Sequence, residues 1–234
     1  MNAIVNVNRK WGIGKDGKLL CNIRKDMEFF KEKTMNKVII YGNNTLKSFP
    51  NKAPLKGRLN IVITRNKDNI DEESKNQSYL CWKLKFNDNG IKKSKILFQS
   101  NRFSDIAKIT NKYGQNFYYK PILLVATSIE EAVSFSRNIA YDEDIFVCGG
   151  DSIYKQMMPY IDTVYVTKND CTLEADSFFP NLDEEISDDG TYEWIKTESR
   201  TAMDSYTDKD IICEFCTYKR RHLYIESIKG YNYE

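Results

Sequence analysis

The chain has 234 residues, 41% of them apolar, with 35 Lys and Arg set against 33 Asp and Glu for a formal net charge of +2. That size and composition suit one globular domain with a sizeable core, and the dispersed, nearly balanced charge forms no basic stripe for nucleic acid or an anionic membrane. The opening MNAIVNVNRKWGIG turns polar before an apolar core reaches signal-peptide length, and no window approaches the ~20 apolar residues of a spanning helix, so a cytoplasmic protein is expected.

Residues 3 to 7, AIVNV, carry a strand pattern, and NRKWGIGKDGK after them reads as a glycine-containing loop. IRKDMEFFKEKT has helical spacing, with Met27, Phe30 and Thr34 able to share a face and Asp26 one turn before Phe30. KVIIYG is a strand, NNTLKSF a short helix, and LNIVITR another continuous apolar strand after the PNKAPLKGR loop. From about residue 66 to 120 the sequence becomes Lys- and Asn-rich, yet Trp82, Phe86, Phe98, Phe117 and Tyr118 are too many aromatics for a plain linker. This stretch reads as an insertion folded partly against the main domain, with a hairpin as one form. PILLVAT is then a strand, SIEEAVSFS a helix with a Ser128/Glu131 capping box, DIFVCGG a strand, DSIYKQMM a helix and DTVYVTKN a strand. YEWIKTESRT and KDIICEFCTYKRR flank a polar turn as an antiparallel hairpin. Short buried strands alternating with helices predict an α/β sheet covered on both faces.

The six cysteines read as free thiols, and the one CxxC pair, Cys213 and Cys216, lies on a strand where residues three apart point to opposite faces. A single histidine, His222, supports neither a multi-His metal site nor a Ser/His/Asp triad. No metal is expected.

Two strand–glycine–helix turns stand out. In VCGGDSIY (147 to 154) the glycines allow backbone that side chains forbid, and helix-opening amides can meet phosphate oxygens. IIYGNNT (39 to 45) repeats the arrangement, so two turns in one sheet can clamp a pyrophosphate; each alone is equally a structural turn. Arg65, directly after LNIVIT, is a third anionic contact or a solvated strand-end charge. GxGxxG and GxxxxGK[ST] are both absent from these turns.

AIVNVNRKWGIGKDGKL, the helix with Asp26 and FFK, KVIIYGNNT, PLKGRLNIVITR, FVCGGDSIY, VYVT and FFP occur in an order and spacing that resembles dihydrofolate reductase. The resemblance covers the chain apart from the insertion and the tail. It implies a dihydrofolate-reductase-like fold over residues 1–221, a central mostly parallel twisted sheet with an antiparallel C-terminal hairpin strand and helices on both faces, and a tail over 222–234. It also implies NADPH-dependent reduction of dihydrofolate by a monomer, in one-carbon metabolism and as an antifolate target.

By that resemblance, Asp26 is the one ionisable group in the pterin pocket and supports N5 protonation, with Thr167 linked to it. Ile4, Val5 and Cys148 lie along the pterin edge, with backbone carbonyls from Ile4 and Cys148. Met27, Phe30, Phe49 and Leu55 line the pocket, and Arg58 meets the glutamate carboxylate. Asn6 and Ile13 would face the nicotinamide, mainly through backbone atoms. Gly42, Asn43, Asn44 and Thr45 would meet pyrophosphate and adenosine, as would Gly149, Gly150, Asp151, Ser152, Ile153 and Tyr154. Thr64 and Arg65 would meet the 2′-phosphate.

Three departures accompany these matches. Leu19-Leu20-Cys21 stands where the family has Leu-Pro-Trp, Asn43 replaces a basic residue, and Asp151 brings a negative charge beside the glycine pair unless it caps its own helix. Two other readings fit the same resemblance: a catalytically weak or inactive folate/NADPH-binding protein, and a same-fold pyrimidine reductase of flavin synthesis. Asp26 and Arg58 argue against the latter.

Overall fold

The computed structural model describes residues 1–65, 122–206 and 209–223, and between 66 and 121 the backbone of six short strands. In chain order the first elements are β1 (Asn2–Val7), β2 (Gly12–Lys15), β3 (Lys18–Leu19), α1 (Arg24–Thr34), β4 (Val38–Gly42), α2 (Asn43–Ser48) and β5 (Leu59–Ile63). Next come β6 (Leu80–Trp82), β7 (Lys85–Asn87), β8 (Gly90–Lys92), β9 (Ile96–Phe98), β10 (Ala107–Thr110), β11 (Asn116–Tyr119) and β12 (Ile122–Ala126). The remainder is α3 (Ile129–Ile139), β13 (Ile145–Val147), α4 (Asp151–Met157), β14 (Thr163–Asn169), β15 (Ser177–Phe178), β16 (Trp194–Tyr206) and β17 (Lys209–Arg220). Two compact units result, residues 1–32 with 157–234, and residues 33–156.

In the first unit the strand order is β16-β17-β14-β1. β1 runs parallel to β14, with Asn6 opposite Thr167. β17 is antiparallel to β14 and to β16, forming the expected C-terminal hairpin. Along β14, Tyr165, Thr167 and Asn169 alternate onto one face, with Phe215 and Cys213 of β17 beside the last two. α1 covers that face: the Phe29 ring packs edge-on against Phe215 at 4.9 Å and Tyr165 at 6.3 Å. Burying a side chain of that size contributes ~1.5–3 kcal/mol. The buried face of α1 therefore runs through Asp26, Phe29 and Thr34, while Met27 is 38% exposed, a correction to the face expected from spacing alone.

The stretch NRKWGIGKDGK was expected to be a loop, whereas its residues 12–15 and 18 belong to β2 and β3, in a small antiparallel sheet of order β15-β2-β3. Asp16 and Gly17 turn the β2–β3 hairpin with φ of 51° and 72°, the left-handed region that glycine adopts without strain. The Asn8 side-chain oxygen accepts from the backbone N–H of Lys10 and of Gly12, both at 2.9 Å, and fixes the entry to β2. Cys213 and Cys216 are both buried, and the five cysteines with described side chains are thiols.

In the second unit the order is β13-β4-β5-β12-β6-β9; the first five strands are parallel and β9 is antiparallel to β6. VIIY, LNIV, LVA and IFV are buried almost throughout, as parallel strands covered on both faces require. Asn60, buried in β5, accepts from Tyr41 Oη and from Leu55 N–H, both at 2.9 Å, and donates to the Leu55 and Arg58 carbonyls. The amide thereby ties the PLKGR loop to the sheet, satisfying its own polar atoms in the process. Ser128 caps α3 by accepting from Glu131 N–H at 3.1 Å. The Glu131 carboxylate, however, returns to the Thr127 backbone and hydroxyl, so the box closes one residue earlier than its expected form.

Within the expected insertion, β7 pairs with β8 and β10 with β11, both antiparallel. The aromatic side chains proposed to pack there, and residues 224–234 of the tail, lie outside the described residues. Among the described residues no helix is long and apolar enough to cross a membrane.

Candidate functional site

Asp26 sits in the first turn of α1 and is only 5% exposed. Burial pushes its carboxyl above the ordinary carboxylate range, because the charged form loses hydration; the Thr167 hydroxyl and the Asn6 amide oppose that shift. Both donors approach the carboxylate, yet Thr167 Oγ1 and Asn6 Nδ2 complete no hydrogen bond of ordinary geometry among the described residues. β1 and β14 bring them together, since Asn6 and Thr167 are register partners pointing to the face that α1 covers. The result is a buried carboxyl facing two unsaturated donors, an arrangement suited to holding or passing a proton. Ile4 and Val5 of β1 and Ile13 of β2 are buried, and Phe30 is half-buried on α1.

The loop before α1 answers what stands in place of a large aromatic. Cys21 is buried, and its sulfur lies 3.3 Å from that of Cys171. Burial, with the neighbouring thiol, pushes Cys21 up to about 12, so it is a neutral thiol at physiological pH.

In the second unit the two glycine turns meet. Gly42 N–H donates to the Gly149 carbonyl at 2.8 Å, and Cys148 N–H to the Ile40 carbonyl at 2.8 Å. Gly150 accepts from the N–H groups of Ile153 and Tyr154, opening α4. A Cβ at Gly42 would lie 3.0 Å from Ile153 Cγ1, and one at Gly149 3.4 Å from Thr45 Oγ1 and from the Tyr154 ring. Gly149 has φ +120°, where a side chain is strained whatever the space. Asn43, Asn44 and Thr45 open α2, with Asn44 and Ser152 exposed.

Gly42 pairs with Ile63, so Thr64 and exposed Arg65 follow at the neighbouring strand end. Three sequence-predicted anion contacts thus gather at the C-terminal ends of parallel strands β4, β5 and β13, where open α/β sheets take ligands. Lys155 Nζ lies 2.8 Å from Asp151 Oδ1, an ion pair that offsets the charge next to the glycines, and that oxygen completes no hydrogen bond among the described residues.

Arg58 is buried, donating through Nε to Thr34 Oγ1 at 3.0 Å and through Nη1 to the Lys56 carbonyl at 2.8 Å. Burial lowers its pKa, but a guanidinium stays charged. The Cys148 residue is partly exposed, though its thiol points inward, 3.6 Å from the Phe146 carbonyl, and burial pushes its pKa up. Phe49 packs edge-on against Tyr41 at 4.9 Å, and Leu55 is held by Asn60.

Sequence reasoning missed the side chain of Asn6, expected to act through its backbone, and two residues behind it. Asn169 Nδ2 donates to Asn6 Oδ1 in a short contact, and Cys213 Sγ donates to Asn169 Oδ1 at 3.3 Å. A polar residue inside the otherwise apolar strand AIVNV was the available signal.

Comparison with known proteins gives one consistent outcome. The family model described as dihydrofolate reductase matches residues 1–89 and 109–220, leaving out a stretch inside the expected insertion. A bifunctional dihydrofolate reductase-thymidylate synthase of Daucus carota is 29% identical over 197 residues, covering 79% of this chain but 29% of the relative. The chain therefore spans less than a third of that relative's length. A dihydrofolate reductase of Staphylococcus haemolyticus is 28% identical over 180 residues, covering 77% of this chain and 76% of the relative. A solved dihydrofolate reductase from Enterococcus faecalis, complexed with NADP(H) and RAB-propyl, shares the fold at TM-score 0.59 and 23% identity, covering 94% of this chain and 95% of that one.

Proposed function

The chain belongs to the dihydrofolate reductase family, and on that premise we propose that it reduces 7,8-dihydrofolate to 5,6,7,8-tetrahydrofolate with NADPH. The observation that carries this reading is Asp26, a buried carboxyl pushed toward its protonated form and faced by Thr167 and Asn6. A carboxyl that keeps its proton closer to working pH is suited to support protonation of N5, with Thr167 steadying it. NADPH, when bound there, would supply the hydride for C6.

The chain's own residues fit that cofactor. At Gly42 a Cβ would crowd Ile153, and at Gly149 φ is +120°, so both turns favour bare backbone, which phosphate oxygens could approach closely. Asn43, Asn44, Thr45, Ser152 and Tyr154 add polar groups to these turns. Thr64 and Arg65 would meet the 2′-phosphate, a role suited to the exposed guanidinium of Arg65. Asn6 and Ile13 would meet the nicotinamide through backbone atoms. Asp151 and Ile153 serve through the α4 backbone.

For the substrate, Arg58 offers a fork to the glutamate carboxylate, and Ile4 and Cys148 offer backbone carbonyls to the pterin edge beside Val5. Met27, Phe30, Phe49 and Leu55 supply apolar lining. We take the catalytic part as residues 1–221, acting as a monomer in the cytoplasm, with neither nucleic acid nor membrane as partner.

The test is loss of NADPH absorbance on mixing with dihydrofolate, slowed by orders of magnitude in Asp26→Asn. Tight folate binding without turnover in the wild-type protein would overturn the enzyme reading.

A further inference from the structure

The carboxylate of Asp26 has a second donor whose direction is set from two strands away. Cys213, fully buried on β17, holds its S–H toward Asn169 Oδ1 at 3.3 Å. Burial pushes Cys213 up to about 11, so at neutral pH it is a thiol and donates. An amide whose oxygen accepts on one side presents its nitrogen on the other: Asn169 Nδ2 donates to Asn6 Oδ1. The same rule then turns Asn6 Nδ2 away from Asn169, where it is buried, completes no hydrogen bond among the described residues and acts on Asp26. The register places all of this on one face: Asn6 pairs with Thr167, Asn169 is two residues further along β14, and Cys213 pairs with Asn169.

We propose that Cys213, Asn169 and Asn6 form a directional relay that points an amide N–H at the Asp26 carboxylate, making Asn6 a second donor beside Thr167 and Asn169 its positioning residue. The role in turnover rests on the reductase reading above; the relay itself does not. Without Asn169, the Asn6 amide is released to present its oxygen to the carboxylate, and the charged form loses a donor. Among the described residues, the titratable groups on which Asp26 acts are Cys21 from the preceding loop and Cys213 from β17, with Cys171 beside Cys21; Lys25 and Asp204 act on Cys213. What shifts Asp26 is burial and the two donors.

The test is the titration of Asp26 in protein labelled with carbon-13 at the aspartate carboxyls, with Asp26→Asn identifying the signal. Asn169→Leu, near in volume and unable to donate, should raise the Asp26 midpoint by about half to one pH unit. Asn6→Ala should raise it similarly, and the double variant no further than Asn6→Ala alone, because the two act in series. Should Asn169→Leu fail to fold, Cys213→Ala cuts the relay at its other end and should shift the midpoint in the same direction. The limb of kcat/KM that reports Asp26 should move with the midpoint, which a merely structural role would not produce. An unchanged midpoint in folded Asn169→Leu, or fully additive shifts in the double variant, overturns the relay. A shifted midpoint in a protein that never oxidises NADPH with dihydrofolate supports the relay and removes the enzyme reading; turnover without a shift does the reverse.

Discussion

Among the described residues, the groups that act on Asp26 are side chains: Thr167 and Asn6 face it, and Asn169 and Cys213 stand behind Asn6. In residues 42–45 and 149–154 the contacts run instead through backbone, Gly42 to Gly149 and Gly150 to Ile153 and Tyr154. One region sets the protonation of a single group and so depends on which atoms of which side chains donate. In the other, on the proposed reading, phosphate oxygens come close to bare backbone, and what matters there is the absence of a Cβ. The first should respond to isosteric changes that alter hydrogen bonding, and the second to changes that alter only bulk and φ.

Asp26→Asn gives the largest separation of the two. Loss of the proton-handling group should lower turnover by about 10²–10⁴-fold, while NADPH affinity, measured by fluorescence titration, stays within about twofold. Arg58→Leu removes charge-assisted hydrogen bonds to the substrate tail worth roughly 1.5–3 kcal/mol. It should raise the KM for dihydrofolate by about tenfold or more; equal weakening of both ligands would show the arginine to be misassigned. Gly149→Ala forces a side chain onto φ +120°, a strain of about 1–3 kcal/mol. Its effect should fall on NADPH affinity, about five- to fiftyfold, with the Asp26 titration unmoved. Arg65→Ala should narrow the preference for NADPH over NADH by about tenfold or less, and an unchanged ratio would refute its role.

The smallest effect is on stability, and its sign follows from the direction of the Asp26 shift. The unfolded carboxyl titrates near about 3.9, and burial raises the folded value. Between those two values the native chain binds more protons than the unfolded one, so this group's contribution is full below the unfolded pKa and is lost as pH rises through the folded one. Asp26→Asn lacks that dependence. Urea unfolding should show it more stable than wild type at pH 7, with the gap closing near pH 4; a gap constant with pH would reject the buried-carboxyl reading.

The second unit was legible in the sequence because its parts are local. VIIYG, LNIVI and IFV are continuous apolar runs ending at turn residues, and the glycines mark where they end. Asp26 was legible as one acid amid apolar residues. Its supporting amides were not: Asn6 and Asn169 are 163 positions apart and Asn169 and Cys213 are 44 apart, so each reads locally as one more polar residue in a strand. The β2–β3 hairpin was hidden by its Gly, Lys and Asp content, and it gains its third strand from Ser177–Phe178, far along the chain. On α1, helical spacing alone favoured Met27, whereas the sheet face beneath, with Tyr165 and Phe215, takes Phe29.

The contact between the two glycine turns also constrains how this chain can diverge. A methyl group on residue 42 would meet Ile153 Cγ1 at 3.0 Å, and Ile153 is itself buried, with little freedom to move aside. Alanine at 42 thus requires Ile153 to give by a few tenths of an ångström, a demand that a shorter residue at 153 removes. Among descendants of this sequence the two positions are expected to covary.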